Sequence, residues 1–386
     1  MAVPAPAPRP IRVVIVAGET SGDQLGAALI GALRERLPGA SFAGIAGPRM
    51  RAAGCEAWHA AEELAVMGLF EVLPHLPRLL RIRRALVRRV LAERPAVYIG
   101  VDFKEFNLSV ARRLKAAGLR TVQYVSPQIW AWRERRVRTI ATACDLMLCL
   151  LPFEPAFYER HAVPARFVGH PLADEIPAVV DRAAARRALG LAGEGPVVAL
   201  LPGSRVGEVG RLGTGFIAAA RLLRETHPEL QCIAPMATPE VAALFAAQGA
   251  AGAGIRLLEG QARKALQAAD AALVASGTAS LEALLCACPM VVAYRLGALT
   301  AFLLRRLRLV RLRYFSLPNL LAGEGLVPEF FQEAATPAAL ATALAAQLQP
   351  GALRERQLAR FASIHVSLRQ GGAQRAAAAI AELLGA

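Results

Sequence analysis

Eight short apolar runs, each followed by a segment of helical character, constrain this chain most: "IRVVIVA", "AVYIGVD", "RTVQYVSP", "CDLMLCLLP", "PVVALLPG", "LQCIAPMA", "DAALVASG" and "PMVVAYR". A strand without polar alternation needs cover on both faces, and strands joined through helices run parallel, so the pattern predicts an α/β chain of parallel sheets. The series pauses between Val168 and Gly195, where prolines and polar residues cluster. The expected organisation is a flexible arm (1–10), a Rossmann-like domain (11–172), a second one (173–366) and a C-terminal helical segment (367–386). Two such domains facing each other leave a cleft at the carboxyl ends of their strands, the usual binding place for this sheet type.

Composition narrows the class. With 386 residues, 55% hydrophobic and 19% charged, the chain is globular rather than disordered. No apolar run reaches about 18 residues, and the opening "MAVPAPAPRP" lacks the apolar core of a signal peptide, so a cytoplasmic protein without a membrane span is expected. The six cysteines and six histidines include no C-x-x-C and no zinc spacing, which predicts reduced buried thiols and no metal site. A net charge of +15 predicts attraction to polyanions: nucleic acid, an acidic membrane surface or phosphorylated substrates. Of the 45 basic residues only Lys104, Lys115 and Lys264 are lysines, and codon bias explains that ratio but not the sign of the charge.

Three turns carry candidate chemistry. In "VAGETSGDQLGAALIGAL" a strand breaks into a glycine-rich turn and a helix, yet Gly18, Gly22 and Gly26 are spaced G-x3-G-x3-G rather than as the dinucleotide fingerprint. Glu19 and Asp23 in or beside that turn would repel a pyrophosphate. In "AALVASGTASLEALL" the turn Ser276-Gly277-Thr278 holds no acid, and its hydroxyls and the free N–H groups of the following helix suit a pyrophosphate. Glu282 is placed to accept hydrogen bonds from a ribose diol, although a Ser/Thr cap with Glu as its capping-box partner fits the same spacing. Arg205, in the parallel turn "LLPGSRVGEV", can fork onto a diphosphate or stand as a surface residue. Asp102 closes the strand "AVYIGVD", where a carboxylate faces the cleft and can act as a general base. The six aspartates form no Asp-x-Asp pair, the usual metal clamp for a nucleotide sugar.

"VAGETSGDQLGAALI", "GIAGPRMRAAGCEAW", "ELAVMGLFEVLP", "YVSPQIWAW", "LLPGSR", "ASGTASLEALL", "CPMVVAYR" and "SLPNLLAGE" occur in order from about Val14 to Leu326, and together they resemble the lipid-A-disaccharide synthase family. The resemblance implies the GT-B glycosyltransferase fold. It also implies a reaction that joins UDP-2,3-diacylglucosamine to 2,3-diacylglucosamine 1-phosphate (lipid X), giving a β-1,6 disaccharide and UDP on the cytoplasmic face of the Gram-negative inner membrane. No cofactor and no nucleic acid enter such a reaction. By the same resemblance Asp102 is the base, Glu19 and Ser21 border the reaction centre, a capping role for Thr20 or Ser21 being equally compatible. Asn319 belongs near the donor site and Gly260 and Gln261 near the uracil. The C-terminal helix crosses back to the first domain, with chain exchange into a homodimer possible. One departure is "DFKEFN", where Lys104 stands in place of the family's usual proline. The alternatives are a UDP-sugar 2-epimerase of the same fold and a non-catalytic basic peripheral membrane protein.

Two basic segments predict membrane contact. In Leu73–Leu91, Leu79, Ile82, Leu86 and Val90 form an apolar stripe beside Arg78, Arg81, Arg84 and Arg88, the pattern of an interfacial helix. A surface helix packing that stripe on a sheet reads the same way. In Phe302–Phe315, Arg305, Arg306, Arg308, Arg311 and Arg313 crowd among leucines.

Overall fold

The computed structural model describes residues 11–64, 72–131, 136–191, 195–297 and 313–386, without the side chains of 72–75 and 131. Within it the apolar runs become strands whose residues are covered on both faces; Val13 to Ala17 are all 0% exposed. Strands β1 (Arg12–Ala17), β2 (Ser41–Ala46), β3 (Cys55–Ala60), β4 (Val97–Val101), β5 (Thr121–Tyr124), β6 (Leu146–Cys149) and β7 (Ala165–Phe167) form one sheet in the order β3-β2-β1-β4-β5-β6-β7. Strands β8 (Val197–Leu201), β9 (Gln231–Met236), β10 (Ile255–Glu259), β11 (Ala271–Ala275), β12 (Met290–Tyr294) and β13 (Glu329–Phe331) form a second, β10-β9-β8-β11-β12-β13. Every pairing is parallel, Ile15 lying opposite Ile99 in the first sheet and Leu273 opposite Leu200 in the second.

The helices that bear on function are α1 (Thr20–Arg36), α2 (Pro48–Ala52), α3 (Val72–Glu93), α4 (Lys104–Ala116), α5 (Val137–Ala141), α6 (Glu154–Glu159), α7 (Val206–Thr226), α8 (Ala262–Ala268), α9 (Thr278–Leu285), α10 (Leu317–Ala322) and α11 (Gly372–Leu384). The chain forms two compact units, one of residues up to Asp174 together with Leu368–Ala386, the other of Glu175–Ser367. In the first unit one face of the sheet packs on α3 and α4 through Val14, Val16, Ile82, Leu86, Val90 and Leu114. The other face packs on α1 and α11 through Val13, Ile15, Leu29, Leu33, Ala377 and Ile380. The last helix therefore completes the core of the unit in which the chain begins. All six cysteines are free and buried.

This packing corrects the reading of α3 as a helix lying with its apolar stripe in lipid. Ile82, Leu86 and Val90 are 5%, 2% and 0% exposed and belong to the sheet-facing core, with Leu79 packed against it. Burying that stripe on the sheet leaves only the arginine side exposed, because the apolar surface has one face to spend. Arg305, Arg308 and Arg311 lie outside the described residues.

Candidate active site

The first unit gathers its polar groups at the ends of β1 and β4. The three glycines of α1's turn share one face, and each admits something close. A Cβ on Gly18 would meet the Phe103 ring at 2.6 Å, one on Gly22 the Val101 carbonyl at 3.3 Å, and one on Gly26 the Met50 sulfur at 2.6 Å. The spacing therefore serves contact with β4 and α2. Asp23 is buried, and its carboxylate accepts from the backbone N–H groups of Arg49 (2.9 Å) and Met50 (3.0 Å), capping α2. Glu19 is the exposed N-cap residue of α1, and its own side chain does not cap the helix.

Asp102 follows β4 with φ 49, and Phe103 after it has φ 34, two successive non-glycine residues in the left-handed region. Such backbone costs on the order of 1–3 kcal/mol per residue and persists only where its surroundings hold it. Here the Asp102 N–H donates to Tyr124 O at 2.9 Å, and its carbonyl accepts from Asn107 Nδ2 and Gln123 Nε2, both at 3.0 Å. Asn107 is fully buried and its Oδ1 accepts from the Tyr98 hydroxyl at 2.9 Å. The Asp102 backbone is thus locked, while its carboxylate receives a long contact from Ser21 Oγ at 3.5 Å. Gln123 was not singled out for this work by sequence, since its meeting with Asp102 depends on the parallel register of β4 with β5, whereas Asn107 reaches the same carbonyl locally from the first turn of α4.

In the second unit a pocket of about 410 Å³ opens at the ends of β8, β9, β11 and β12. Arg205, Gly260, Ser276, Gly277, Thr278 and Glu282 all line it. Gly277 precedes α9 with φ 152 and no side chain caps the helix, so the first N–H groups of α9 face the pocket without a capping acceptor. The capping-box alternative is absent. The Ser276 hydroxyl donates to Phe315 O at 3.1 Å. Arg205 is 80% exposed at its side chain and lies 3.3 Å from Glu208, whose other oxygen accepts from Ser204 N–H at 3.0 Å. Burial pushes the Glu282 carboxyl up, against the pull of Arg263 and with a push from Glu175. Tyr294, Met236 and Ala237 line the pocket without having been signalled; each is an apolar residue or a tyrosine at a strand end.

Two predicted donor residues stand apart from that lining. Gln261 is exposed and left-handed (φ 58) at the start of α8. Asn319 is 1% exposed; its amide donates to Val327 O at 2.9 Å and its oxygen accepts from the N–H groups of Leu326 and Val327 at 2.8 Å. Asn319 thereby pins α10 to the loop before β13. In the first unit Arg81, Arg84 and Arg88 stand exposed on α3 beside Arg113 of α4, around a depression floored by Val87. No carboxylate pairs with these four among the described residues. None of the described helices is long and apolar enough to cross a membrane.

The sequence family described as "Lipid-A-disaccharide synthetase" matches residues 13–383. A lipid-A-disaccharide synthase of Alkalilimnicola ehrlichii is 54% identical over 376 residues, 96% of this chain and 98% of the relative. Among solved structures, a glycotransferase of kitacinnamycin has TM-score 0.61 at 17% identity, covering 97% of this chain and 99% of the other. A UDP-N-acetylglucosamine 2-epimerase described as putative, from Listeria monocytogenes, has TM-score 0.67 at 13% identity, covering 97% and 96%. At such identities the structures speak for the fold, two parallel sheets of GT-B type.

Proposed function

This chain belongs to the lipid-A-disaccharide synthetase family and is a glycosyltransferase of lipid A synthesis; from that premise we propose that it transfers 2,3-diacylglucosamine from its UDP carrier to the 6-hydroxyl of 2,3-diacylglucosamine 1-phosphate, with inversion. The acceptor hydroxyl attacks the anomeric carbon from the face opposite UDP, so the α linkage becomes β in one displacement. Asp102 takes the hydroxyl proton. Ser21 touches the same carboxylate, and Glu19, at the start of α1, orients sugar hydroxyls.

The leaving diphosphate gathers charge, and the exposed N–H groups at the start of α9 with the Arg205 guanidinium are the donors that meet it. Glu282 receives the ribose diol, with Gly260 and Gln261 toward the uracil. A general base contributes about 10² to 10⁴-fold, and positioning of the two sugars supplies a large further share. The observation that carries this reading is Asp102 itself. Its backbone is fixed by three hydrogen bonds at a strand end, while its carboxylate meets only a long contact from Ser21 among the described hydrogen bonds.

The acylated substrates reside in a bilayer, and the exposed Arg81, Arg84 and Arg88 are the described part of a peripheral contact with an anionic cytoplasmic leaflet. Mixing the two lipid sugars and following UDP release together with disaccharide tests the reaction. UDP appears in step with disaccharide and only when both sugars are present. UDP formed from the donor alone supports an epimerase, and no UDP at all supports a non-catalytic protein.

A further inference from the structure

A second concavity lies in the first unit, along α4. It has about 190 Å³ and is lined by Lys104, Leu108 and Arg112 of α4, and by Ile129, Arg136 and Ile140 at and before α5. Lys104, Leu108 and Arg112 recur every four residues, so they share one face of α4. The floor is apolar and built: Leu108, Ile129 and Ile140 are 7%, 4% and 1% exposed. Arg136 is held by Glu105 through two hydrogen bonds of 2.8 and 2.5 Å, which fixes one wall and satisfies that charge. Lys104 and Arg112 are exposed, and among the described residues no carboxylate lies within ion-pair distance of either. The site thus offers two uncompensated cations flanking an apolar surface, two residues along the chain from the base.

That combination fits an amphiphilic phosphate rather than a neutral sugar or a free nucleotide. In the proposed reaction, on which this inference rests, the acceptor is the substrate of the first unit, and it carries a phosphate monoester beside its acyl chains. We infer that Lys104 and Arg112 bind the acceptor's phosphate while Leu108, Ile129 and Ile140 receive the adjoining acyl chain. Lys104 sits where the family sequence usually has proline. A proline at the first helical position would suit α4 without supplying a charge, so the lysine adds recognition at this place.

The test is kinetic and equilibrium work in neutral detergent micelles with Lys104→Ala/Arg112→Ala, using the acceptor and its dephosphorylated counterpart. Loss of two charge-assisted hydrogen bonds should raise the acceptor KM by about 30-fold or more, with the KM for the UDP-sugar unmoved. With the dephosphorylated acceptor, wild type and variant should coincide. An equal rise for both acceptors, or none, overturns the inference. Calorimetric binding of the acceptor alone separates the two readings. If affinity falls in the variant while wild type makes no disaccharide, the pocket stands and the reaction does not. If affinity is unchanged while wild type is active, the reaction stands and the pocket does not.

Discussion

The turns after β4 and after β11 occupy the same place in the two sheets, each following the strand that pairs with its sheet's first strand in the chain, and they are built in opposite ways. The first is closed: two left-handed non-glycine residues, Asp102 and Phe103, with the backbone donors and acceptors around them spent on Tyr124, Asn107 and Gln123. The second is open: Gly277 at φ 152, nothing within 4 Å of where its Cβ would stand, and a helix with no side-chain cap. A carboxylate that must take a proton needs one fixed position, and internal hydrogen bonds provide it. A site for an anion needs unspent donors, and leaving the helix start bare provides those. One topology thus yields a base or an anion site according to whether the turn satisfies itself.

The largest effect should come from the closed side. Asp102→Asn keeps the shape and removes the base, and turnover should fall by about 10² to 10⁴-fold while UDP affinity stays that of wild type. Retention of a tenth of wild-type turnover would move the role elsewhere, and a parallel loss of UDP affinity would erase the contrast between the turns.

The unit that holds the closed turn should also respond to pH, through a group outside that turn. Glu154 at the start of α6 accepts from Leu151 N–H (3.0 Å) and Trp130 Nε1 (3.2 Å), and burial pushes its carboxyl from 4.5 up to about 7. The folded protein therefore holds this proton more tightly than the unfolded chain. Stability from this group is complete below pH about 4.5 and is lost as pH rises to about 7, by about 3 kcal/mol in all. His170 works in the opposite sense, since burial pulls it down to about 4, and its contribution is lost as pH falls from 6.5 toward that value. Urea unfolding of wild type and Glu154→Gln across pH 4.5–8 isolates the carboxyl: the difference between them should slope only below pH about 7. A flat difference would mean that the carboxyl stays ionised in the fold.

On the open side, Arg205→Ala and Glu282→Ala should each weaken UDP binding by roughly 1.5–3 kcal/mol, the worth of a charged hydrogen bond, with little change in how the bound sugar reacts. Calorimetry decides it; unchanged affinity in both removes the donor from this pocket. The smallest effect concerns neither turn. Arg84→Ala should weaken binding to anionic vesicles by about 1 kcal/mol, an effect that salt abolishes. Flotation at low and high salt reads it, and equal flotation of variant and wild type at both would assign the arginine face to another task.

What the sequence disclosed follows from how each element is covered. Eight strands were legible as continuous apolar runs, and five of the thirteen described were not: β2, β3, β7, β10 and β13. Four of these are sheet edges, half exposed or only three residues long, so they lack the apolar signature of a central strand. Asp102 was legible because a carboxylate ending an apolar run is conspicuous. Its bracket was not, because Gln123 stands 21 residues away and meets it only through strand pairing. The stripe on α3 shows the limit of periodicity, since an apolar face reads alike whether lipid or a sheet covers it. Asn319 shows a second limit: its structural work, holding the backbone of Leu326 and Val327 seven and eight residues on, is not visible in the motif that carries it.

The return of α11 to the first unit sets an order of events during synthesis. Ala376, Ala377 and Ile380 fill the face of the first sheet that α1 also covers, so the first half of the chain leaves the ribosome with that face incompletely covered. The roughly 200 residues that separate Asp174 from α11 take about 10–40 s to add at 5–20 residues per second. By the end of that interval the second unit has its whole sequence, while the first still lacks its last helix. The unit that begins first is therefore the one that finishes last, and its exposed sheet face is where a chaperone, or aggregation, would act on the nascent chain.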